Sequence, residues 1–276
     1  MYIRFKDGKR KALTLSYDDG VVQDIRLSDI MKKNGIKGTF NINSGTYLDE
    51  EAVREKYYGR MKLSEAKALY TNSGNEVAVH AYTHPRLELL DTTEILSEVI
   101  EDRKSIEKEY GTIARGMAYP FGTYSDKVVE ALKMCGICYS RTTKATESFG
   151  LPENWLTLDP TCHHNNPRLM ELAKQFVEEE PRWGGVWMFY LWGHSYEFDN
   201  NDNWNVIEEF CEYMGGRDDI WYATNIEIYD YVKAYENLQT SVDKKIIHNP
   251  SNTDVWAEHN GKVIKIKAGE TVTLDD

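Results

Sequence analysis

Short strand-like runs and longer helix-like runs alternate along most of this chain, from Lys11 to Tyr235. Parallel strands need a crossover between them, usually a helix, so this alternation predicts a parallel α/β sheet. About eight strand–helix units fit into the segment, and that number favours a closed (β/α) barrel of the TIM type. A flat doubly wound sheet is the alternative, although no glycine-rich phosphate turn follows the first strand.

The first strand of this series ends on two adjacent carboxylates. Apolar side chains alternate with smaller or polar ones from Lys11 to Tyr17, as in a buried strand, and Asp18 and Asp19 follow. Two carboxylates at one strand end repel each other, and a bound metal ion offsets that repulsion if one is its ligand and the other a base. The alternative is that the pair begins the next helix, where acidic side chains favour the helix dipole.

Polar residues gather after the strand-like runs, including the run predicted as a strand at Trp155–Leu158. Barrel active sites lie at the face formed by the carboxyl ends of the strands. Helix caps explain some of these residues, but they do not explain three strands that end near histidines. We therefore expect one site at this face, drawn from Asp18 and Asp19, Asn43, His80, Tyr119, Arg141, Asp159, His163 and His164, and His194.

Two of these histidines are spaced so that they can bind one ion. His80 and His84 are four residues apart, and Pro85 disfavours a helix that continues through His84. We therefore place both imidazoles on a turn after a strand, facing one ion. With Asp19 they make a set of one carboxylate and two imidazoles, which leaves positions for water and substrate. Such a set is typical of a catalytic rather than a structural metal site.

Four short motifs follow one another along the chain: Ser16-Tyr17-Asp18-Asp19-Gly20, His80-x-x-x-His84, Tyr119-Pro120-Phe121-Gly122 and Leu191-x-x-His194. In this order and spacing they resemble the motifs of the polysaccharide deacetylase family, carbohydrate esterase family four. Each motif is short, but together they cover most of the chain up to Tyr235, which makes the joint resemblance specific.

The resemblance implies a distorted (β/α) barrel that uses a divalent metal ion to remove acetyl groups from N- or O-acetylated sugars. Carried over motif by motif, Asp18 is the expected general base and His194 the expected general acid. Zinc is the expected ion, with cobalt, nickel or manganese as alternatives. The expected metal ligands are Asp19, His80 and His84. Substrate-binding or oxyanion roles, with a backbone N–H near Phe121 as the oxyanion donor, fall to Tyr119, Pro120, Phe121 and Trp192.

The third motif departs from the family pattern. An arginine that orients the base usually stands in this motif, whereas this chain has Ala118 at that place. Arg115 or Arg141 is the candidate substitute, unless the base is held in another way.

The group that tunes the catalytic histidine is also open. The family uses an aspartate, and Asp159 and Glu197 are the candidates here. The stretch Cys162-His163-His164 is not part of the common pattern. His163 and His164 therefore either shape the substrate pocket or belong to an ordinary loop.

Charge and composition exclude several kinds of partner. The formal net charge is −12 and no basic cluster stands out, which argues against nucleic acid, anionic membrane surfaces and acidic polymers. No apolar run reaches the length of about eighteen residues that a membrane-spanning helix needs. The stretch Met1–Arg10 is charged and has no apolar run of signal-peptide length, so a cytoplasmic location is expected. The sequence does not indicate which oligomeric state the protein adopts.

The last part of the chain changes character. After a turn at Asn249-Pro250, two alternating runs flank Asn260-Gly261, a dipeptide typical of a β-hairpin turn. We therefore predict two units. Residues 1–240 form the deacetylase-like catalytic barrel, and residues 241–276 form a short β-rich appendage.

Three functions are compatible with these patterns. The first is a metal-dependent deacetylase acting on acetylated carbohydrate. The second is an amidohydrolase of the same barrel acting on a non-sugar C–N bond, for which the altered third motif leaves room. The third is a non-catalytic carbohydrate-binding barrel, and the presence of both aspartates, both turn histidines and His194 argues against it.

Overall fold

The structure, a computed structural model, describes residues 1–48, 51 and 59–274. Among these residues no helix is both long and apolar enough to cross a bilayer. The described residues form eight α-helices: α1 Asp24–Lys33, α2 Leu63–Tyr70, α3 Thr92–Tyr110, α4 Asp126–Met134, α5 Leu169–Glu178, α6 Tyr196–Asn200, α7 Asn205–Met214 and α8 Asn225–Glu236. They also form fourteen strands: β1 Tyr2–Arg4, β2 Lys11–Asp18, β3 Gly38–Ile42, β4 Glu76–Val79, β5 Gly116–Ala118, β6 Tyr139–Arg141, β7 Cys162–His163, β8 Trp187–Gly193, β9 Ile220–Tyr222, β10 Gln239–Thr240, β11 Ile246–His248, β12 Val255–His259, β13 Lys262–Ile266 and β14 Thr271–Thr273.

Eight parallel strands form the central sheet. They pair in the order β6-β5-β4-β3-β2-β8-β7, and β9 pairs with the first residues of β2. Strand β2 lies at the centre, where Leu15 faces Gly38 of β3 on one side and Leu191 of β8 on the other. Helices make the crossovers between most consecutive strands, as parallel pairing requires. The predicted parallel α/β class is therefore confirmed.

The sheet curls into a barrel because one segment joins its two edges. Arg141, at the end of β6, forms a parallel bridge with Leu158. The same segment then enters β7, which pairs in parallel with β8. No α-helix lies between β6 and β7, so the barrel is distorted at this point.

The predicted strand at Trp155–Leu158 is wrong. The stretch Trp155–Thr157 is a short 3-10 turn, and the strand comes later, at β7. Asn154 favours the turn, because its side chain accepts a hydrogen bond from the Leu156 backbone N–H at 3.0 Å. This shift moves His163 into the barrel wall instead of a loop beyond a strand.

The side chains of β2 alternate between the two faces of the barrel wall. All eight residues of this strand are buried, as expected where helices cover one face and the barrel core the other. Leu13, Leu15 and Tyr17 pack in the outer core with residues of α1. Residues between them face inward, where the Thr14 hydroxyl donates to Asn225 Oδ1 at 2.7 Å. The same alternation points Asp18 into the mouth of the barrel.

The β-rich appendage is built from both ends of the described chain. Strands β12 and β13 form the predicted hairpin across Asn260-Gly261, and both turn residues have positive φ, 49° and 77°. Strand β1 pairs antiparallel with β12, and β10, β11 and β14 form a second small sheet. The boundary between residues 240 and 241 stays a prediction, and residues 275–276 of the appendage lie outside the described residues.

Candidate active site

The three predicted metal ligands meet where β2 and β4 end. The ligand atoms of Asp19, His80 and His84 all lie within 4.8 Å of one another. Asp19 Oδ1 is 3.7 Å from His84 Nε2 and 4.0 Å from His80 Nε2. Asp19 and His84 have left-handed backbones, with φ of 83° and 61°, a conformation that non-glycine residues adopt mainly in constrained sites.

A backbone contact fixes which nitrogen of His80 faces the site. Its Nδ1 lies 2.8 Å from the carbonyl oxygen of Ala118, at the end of β5. Because a carbonyl only accepts, Nδ1 carries the proton in the neutral ring and Nε2 presents its lone pair to Asp19 and His84. In metal sites a hydrogen bond from the ring nitrogen that does not bind the metal is what orients a histidine ligand.

Polar groups from neighbouring elements hold the turn that carries both histidines. The Asn43 side-chain amide donates to the Ala81 carbonyl at 2.8 Å. Asp102, buried on α3, accepts the His80 backbone N–H at 2.9 Å and the Ser44 backbone N–H at 2.8 Å. No motif singles out Asp102, because its side chain lies on the buried face of an ordinary amphipathic helix.

The protonation states of the two histidines suit a divalent cation. Burial lowers the pKa of both rings, and burial together with the neighbouring His80 ring brings the pKa of His84 to about 4. Both rings are therefore neutral near pH 7, which is the form that binds metal ions. Two neutral imidazoles and one carboxylate fit a catalytic zinc site and accept other first-row divalent ions.

Asp18, the predicted base, is held by an arginine from β6. Its carboxylate contacts the Arg141 guanidinium and accepts a hydrogen bond from Asn41 Nδ2 at 2.8 Å. Burial would raise the pKa of Asp18, but Arg141 and the nearby imidazoles outweigh burial and lower it, so the carboxylate is ionised. Of the two candidate arginines, Arg141 thus contacts Asp18, whereas Arg115 forms an ion pair with Asp230 of α8 at 2.6 Å.

His194, the predicted acid, lies between two carboxylates. Its Nε2 is 4.0 Å from Asp18 Oδ2, and its Nδ1 is 3.1 Å from Glu197 Oε1. Burial opposes the charged ring, but Glu197 and Asp18 outweigh it and raise the pKa of His194. Asp159, the other candidate partner, accepts the Thr142 hydroxyl and lies 3.6 Å from Lys144. Glu197, and not Asp159, is therefore the candidate carboxylate that contacts His194.

The third motif forms a turn beside the metal ligands. The Tyr119 hydroxyl donates to the Leu156 carbonyl at 2.7 Å, so this buried side chain supports the turn, and a substrate-binding or oxyanion role for Tyr119 stays a prediction. Pro120 is also buried. Phe121 is half exposed, has a left-handed backbone (φ 59°) and sets its ring edge-on to His84 at 4.6 Å. An oxyanion role for its backbone N–H stays a prediction.

Trp192 packs inside the barrel mouth. The Arg141 guanidinium stacks over its ring at 4.3 Å, and His163 lies edge-on to it at 4.5 Å. Its indole nitrogen is buried and has no hydrogen-bond partner among the described residues. Trp192 therefore shapes the pocket around Arg141, and a direct contact with substrate stays a prediction.

Sequence reasoning did not identify Arg60 as a site residue. Its guanidinium contacts the Asp19 carbonyl and lies 3.3 Å from Asp19 Oδ1 and 3.1 Å from Asn43 Oδ1. It thus adds a positive charge beside one predicted metal ligand. No spacing pattern in the sequence links Arg60 to Asp19, because the contact depends on an antiparallel bridge between Val21 and Arg60.

His163 and His164 lie in the site and are not part of an ordinary loop. Both rings approach Glu197, with Nε2 to Oε2 separations of 3.2 Å for His163 and 2.9 Å for His164. His164 is fully buried, whereas His163 is partly exposed. Glu197 is therefore in contact with three imidazoles, including that of His194.

Comparison with known proteins gives a family match to the first half of the chain. The model for the polysaccharide deacetylase family matches residues 5–140. Chitin deacetylase 1 of Cryptococcus neoformans var. grubii is 29% identical over 86 residues, which is 30% of this chain and 18% of that protein. The matched segment thus spans less than a fifth of the length of this curated relative.

Two solved structures share the fold over most of their length. A Mycobacterium smegmatis protein assigned to the polysaccharide deacetylases superposes with a TM-score of 0.61 at 16% identity, over 85% of this chain and 94% of that one. The Xyl-CE4 domain of a multidomain xylanase from the hindgut metagenome of Trinervitermes trinervoides superposes with a TM-score of 0.52 at 14% identity, over 82% and 92%. At these identities the likeness concerns the fold alone.

Proposed function

Because residues 5–140 match the polysaccharide deacetylase family, we propose that the chain is a metal-dependent hydrolase of acetylated carbohydrate. The observation that carries the proposal is the facing pair of Asp18 and His194 beside a ready set of metal ligands. Their side chains are 4.0 Å apart, and their surroundings lower the pKa of Asp18 and raise that of His194. The proposed substrates are N- or O-acetylated sugars.

Asp19, His80 and His84 would hold the divalent ion, with zinc as the proposed metal. An ion bound there would polarise the acetyl carbonyl and lower the pKa of a coordinated water. The chain's own share is to fix the ligands: Ala118 sets the His80 tautomer, and Asp102 holds the His80 backbone.

Asp18 and His194 divide the proton transfers of the hydrolysis. As water attacks the acetyl carbonyl, a C–O bond forms and Asp18 takes the proton that the water gives up. The C–N or C–O bond to the sugar then breaks, and His194 donates a proton to the leaving nitrogen or oxygen. Acetate and the deacetylated sugar are the products. Arg141 keeps Asp18 ionised and oriented toward the water.

The test is acetate release from N- and O-acetylated sugar monomers and oligomers by the full chain loaded with zinc, cobalt, nickel or manganese in turn. Asp18→Asn should lower kcat at least about 10²-fold, since it removes the base. Asp159→Asn is the matched control, because this carboxylate stands outside the Asp18–His194 pair, and it should keep wild-type rates.

Two results would contradict the proposal. Metal-loaded protein that releases no acetate but opens a cyclic amide or ureide would be an amidohydrolase acting on a non-sugar C–N bond. Protein that binds acetylated sugar without turnover of any of these substrates would be a carbohydrate-binding barrel.

A further inference from the structure

Glu197 divides its two carboxylate oxygens between different neighbours. Oε1 faces His194 Nδ1 at 3.1 Å. Oε2 faces a short segment at the end of β7, with Asn165 Nδ2 at 3.1 Å, His163 Nε2 at 3.2 Å and His164 Nε2 at 2.9 Å. Helix α6 supplies the carboxylate, so two elements converge on it.

This cluster has the residue types of a zinc site, but one hydrogen bond argues against that reading. The Asn165 backbone N–H donates to His163 Nδ1 at 3.1 Å. In the neutral His163 ring the proton therefore lies on Nε2, which faces Glu197 as a donor. A nitrogen that binds metal must present a lone pair instead.

His164 forms a rigid wall of the cluster. Its ring is stacked between Phe198 at 4.2 Å and Tyr17 at 5.8 Å. It also lies against Gly193, where an added Cβ would come within 2.0 Å of His164 Nδ1. Neither ring nitrogen makes a hydrogen bond of good geometry within the described chain, although Nε2 lies 2.9 Å from Glu197 Oε2.

The cluster keeps Glu197 ionised in spite of its burial. Burial would raise the pKa of this carboxyl, but the surrounding imidazoles outweigh burial and hold the pKa far below its ordinary value. A partly buried carboxylate with donors on both oxygens is fixed in orientation as well as in charge. Its orientation decides how well it faces His194.

We propose that His163, His164 and Asn165 are positioning residues that hold Oε2 of Glu197, so that Oε1 stays against Nδ1 of His194. The part concerning catalysis rests on the proposed function, because it takes His194 as the proton donor. The other groups that face His194 are Asp18 and Asp19 at the end of β2, His163 on β7 and the Tyr196 ring at 5.2 Å. Both aspartates remain in place in the variants below.

His163 offers a matched pair of variants, because its side chain is partly exposed. His163→Gln keeps an N–H donor near the position of Nε2, whereas His163→Leu removes it. The pKa of His194 is read from its ring nitrogens by NMR in a pH titration of the full chain. We expect His163→Leu to lower this pKa by about one pH unit and His163→Gln to leave it close to the wild-type value.

The same shift should appear in the kinetics of acetate release. In His163→Leu the alkaline limb of the kcat profile should move to lower pH by about one unit while KM stays within about twofold. If His163→Leu leaves the pKa of His194 unchanged or raises it, or if the glutamine and leucine variants shift it equally, the positioning role is wrong.

Metal analysis separates this proposal from a second metal site. Wild-type protein should bind one equivalent of zinc, and His163→Leu should bind the same amount. Two equivalents in wild type and one in His163→Leu would make the cluster a metal site and overturn the inference. Absence of acetate release in wild type would count against the proposed function, whereas the NMR titration would still decide whether the cluster positions Glu197.

Discussion

At the residue scale, the site depends on pairs formed between distant parts of the chain. Arg141 reaches Asp18 across 123 sequence positions, and its guanidinium also stacks on Trp192. Arginine suits this place because one planar group contacts a carboxylate and an aromatic face together. A lysine would keep the charge but lose the stacking.

Replacing Arg141 by methionine should lower kcat by roughly 10²- to 10⁴-fold, because the base would lose the cation that orients it. Zinc content should not change, since Arg141 contacts no predicted metal ligand in the described residues. Arg115→Met is the matched control: it breaks only a half-exposed pair with Asp230 and should leave kcat within about twofold. Equal losses in both variants would mean that Arg141 acts through folding alone.

Sequence motifs predicted the residues of the site better than the contacts between them. Asp18, Asp19, His80, His84 and His194 stand in short patterns of fixed spacing, so their residue types alone suggest chemistry. The contact partners of Asp18 and His194 do not stand in such patterns. Which arginine faces Asp18, and which carboxylate faces His194, depends on how the strands pair around the barrel, and no local pattern encodes that.

At the scale of elements, helix α3 supports the turn that carries the metal ligands. Asp102 accepts backbone N–H groups from His80 and from Ser44, and Glu98 accepts the Thr83 backbone N–H at 2.8 Å. Helix α3 therefore holds the backbone of this turn, so that the side chains of His80 and His84 stay available to bind an ion.

Asp102→Ala should destabilise the protein by about 1–3 kcal/mol, because buried backbone N–H groups would lose their acceptor. It should also weaken zinc binding, since the His80 backbone would no longer be held. Urea unfolding and competition with a zinc chelator measure the two effects. Glu101→Ala, one position earlier on the exposed side of α3, is the control and should change neither. Unchanged zinc affinity in a destabilised Asp102→Ala would contradict the support role.

Glu76, the first residue of β4, joins three elements by hydrogen bonds at the end of the barrel where β4 begins. It accepts hydrogen bonds from Tyr139 Oη at 2.7 Å, Thr39 Oγ1 at 2.9 Å and the Ile226 backbone N–H at 2.9 Å. Three elements, β6, β3 and α8, thus meet on one carboxyl group. Burial raises the pKa of this group to about 7 from an ordinary 4.5.

The folded state therefore binds this proton more tightly than the unfolded state does. The Glu76 contribution to the free energy of unfolding should be full below pH 4.5 and should be lost as the pH rises through about 7. Glu76→Gln should flatten the decline of stability over that range, as measured by urea unfolding at several pH values. Glu130→Gln, on the exposed side of α4, should leave the decline unchanged. A decline as steep in Glu76→Gln as in wild type would show that another group causes it.

At the scale of the whole molecule, alternation of strands and helices was enough to predict a parallel barrel. Apolar periodicity indicates which face of each strand or helix is buried. The pattern of buried faces is the same in any barrel of this class. The closing segment was not predictable in the same way. Its turn at Trp155–Thr157 and its strand at Cys162–His163 depend on a single cap at Asn154 and on pairing with β8.

A chain that ends at Leu238 should still bind zinc, because residues beyond it contribute nothing to the described site. Its thermal midpoint should fall, since the appendage core of Ile247, Ala257 and Ile266 covers Tyr235 and Leu238. Calorimetry and zinc titration measure the two outcomes. Loss of zinc binding in a truncated chain that keeps its helical circular dichroism signal would show that the appendage shapes the site.

The pairing of β1 with β12 bears on how the protein is made. Arg4 and Glu258, which form an ion pair in this small sheet, are 254 positions apart. On the ribosome β1 emerges before the barrel strands and must wait, with an unpaired edge, until β12 has been synthesised. The barrel can assemble during that interval, whereas the small sheet can close only after β12 has emerged.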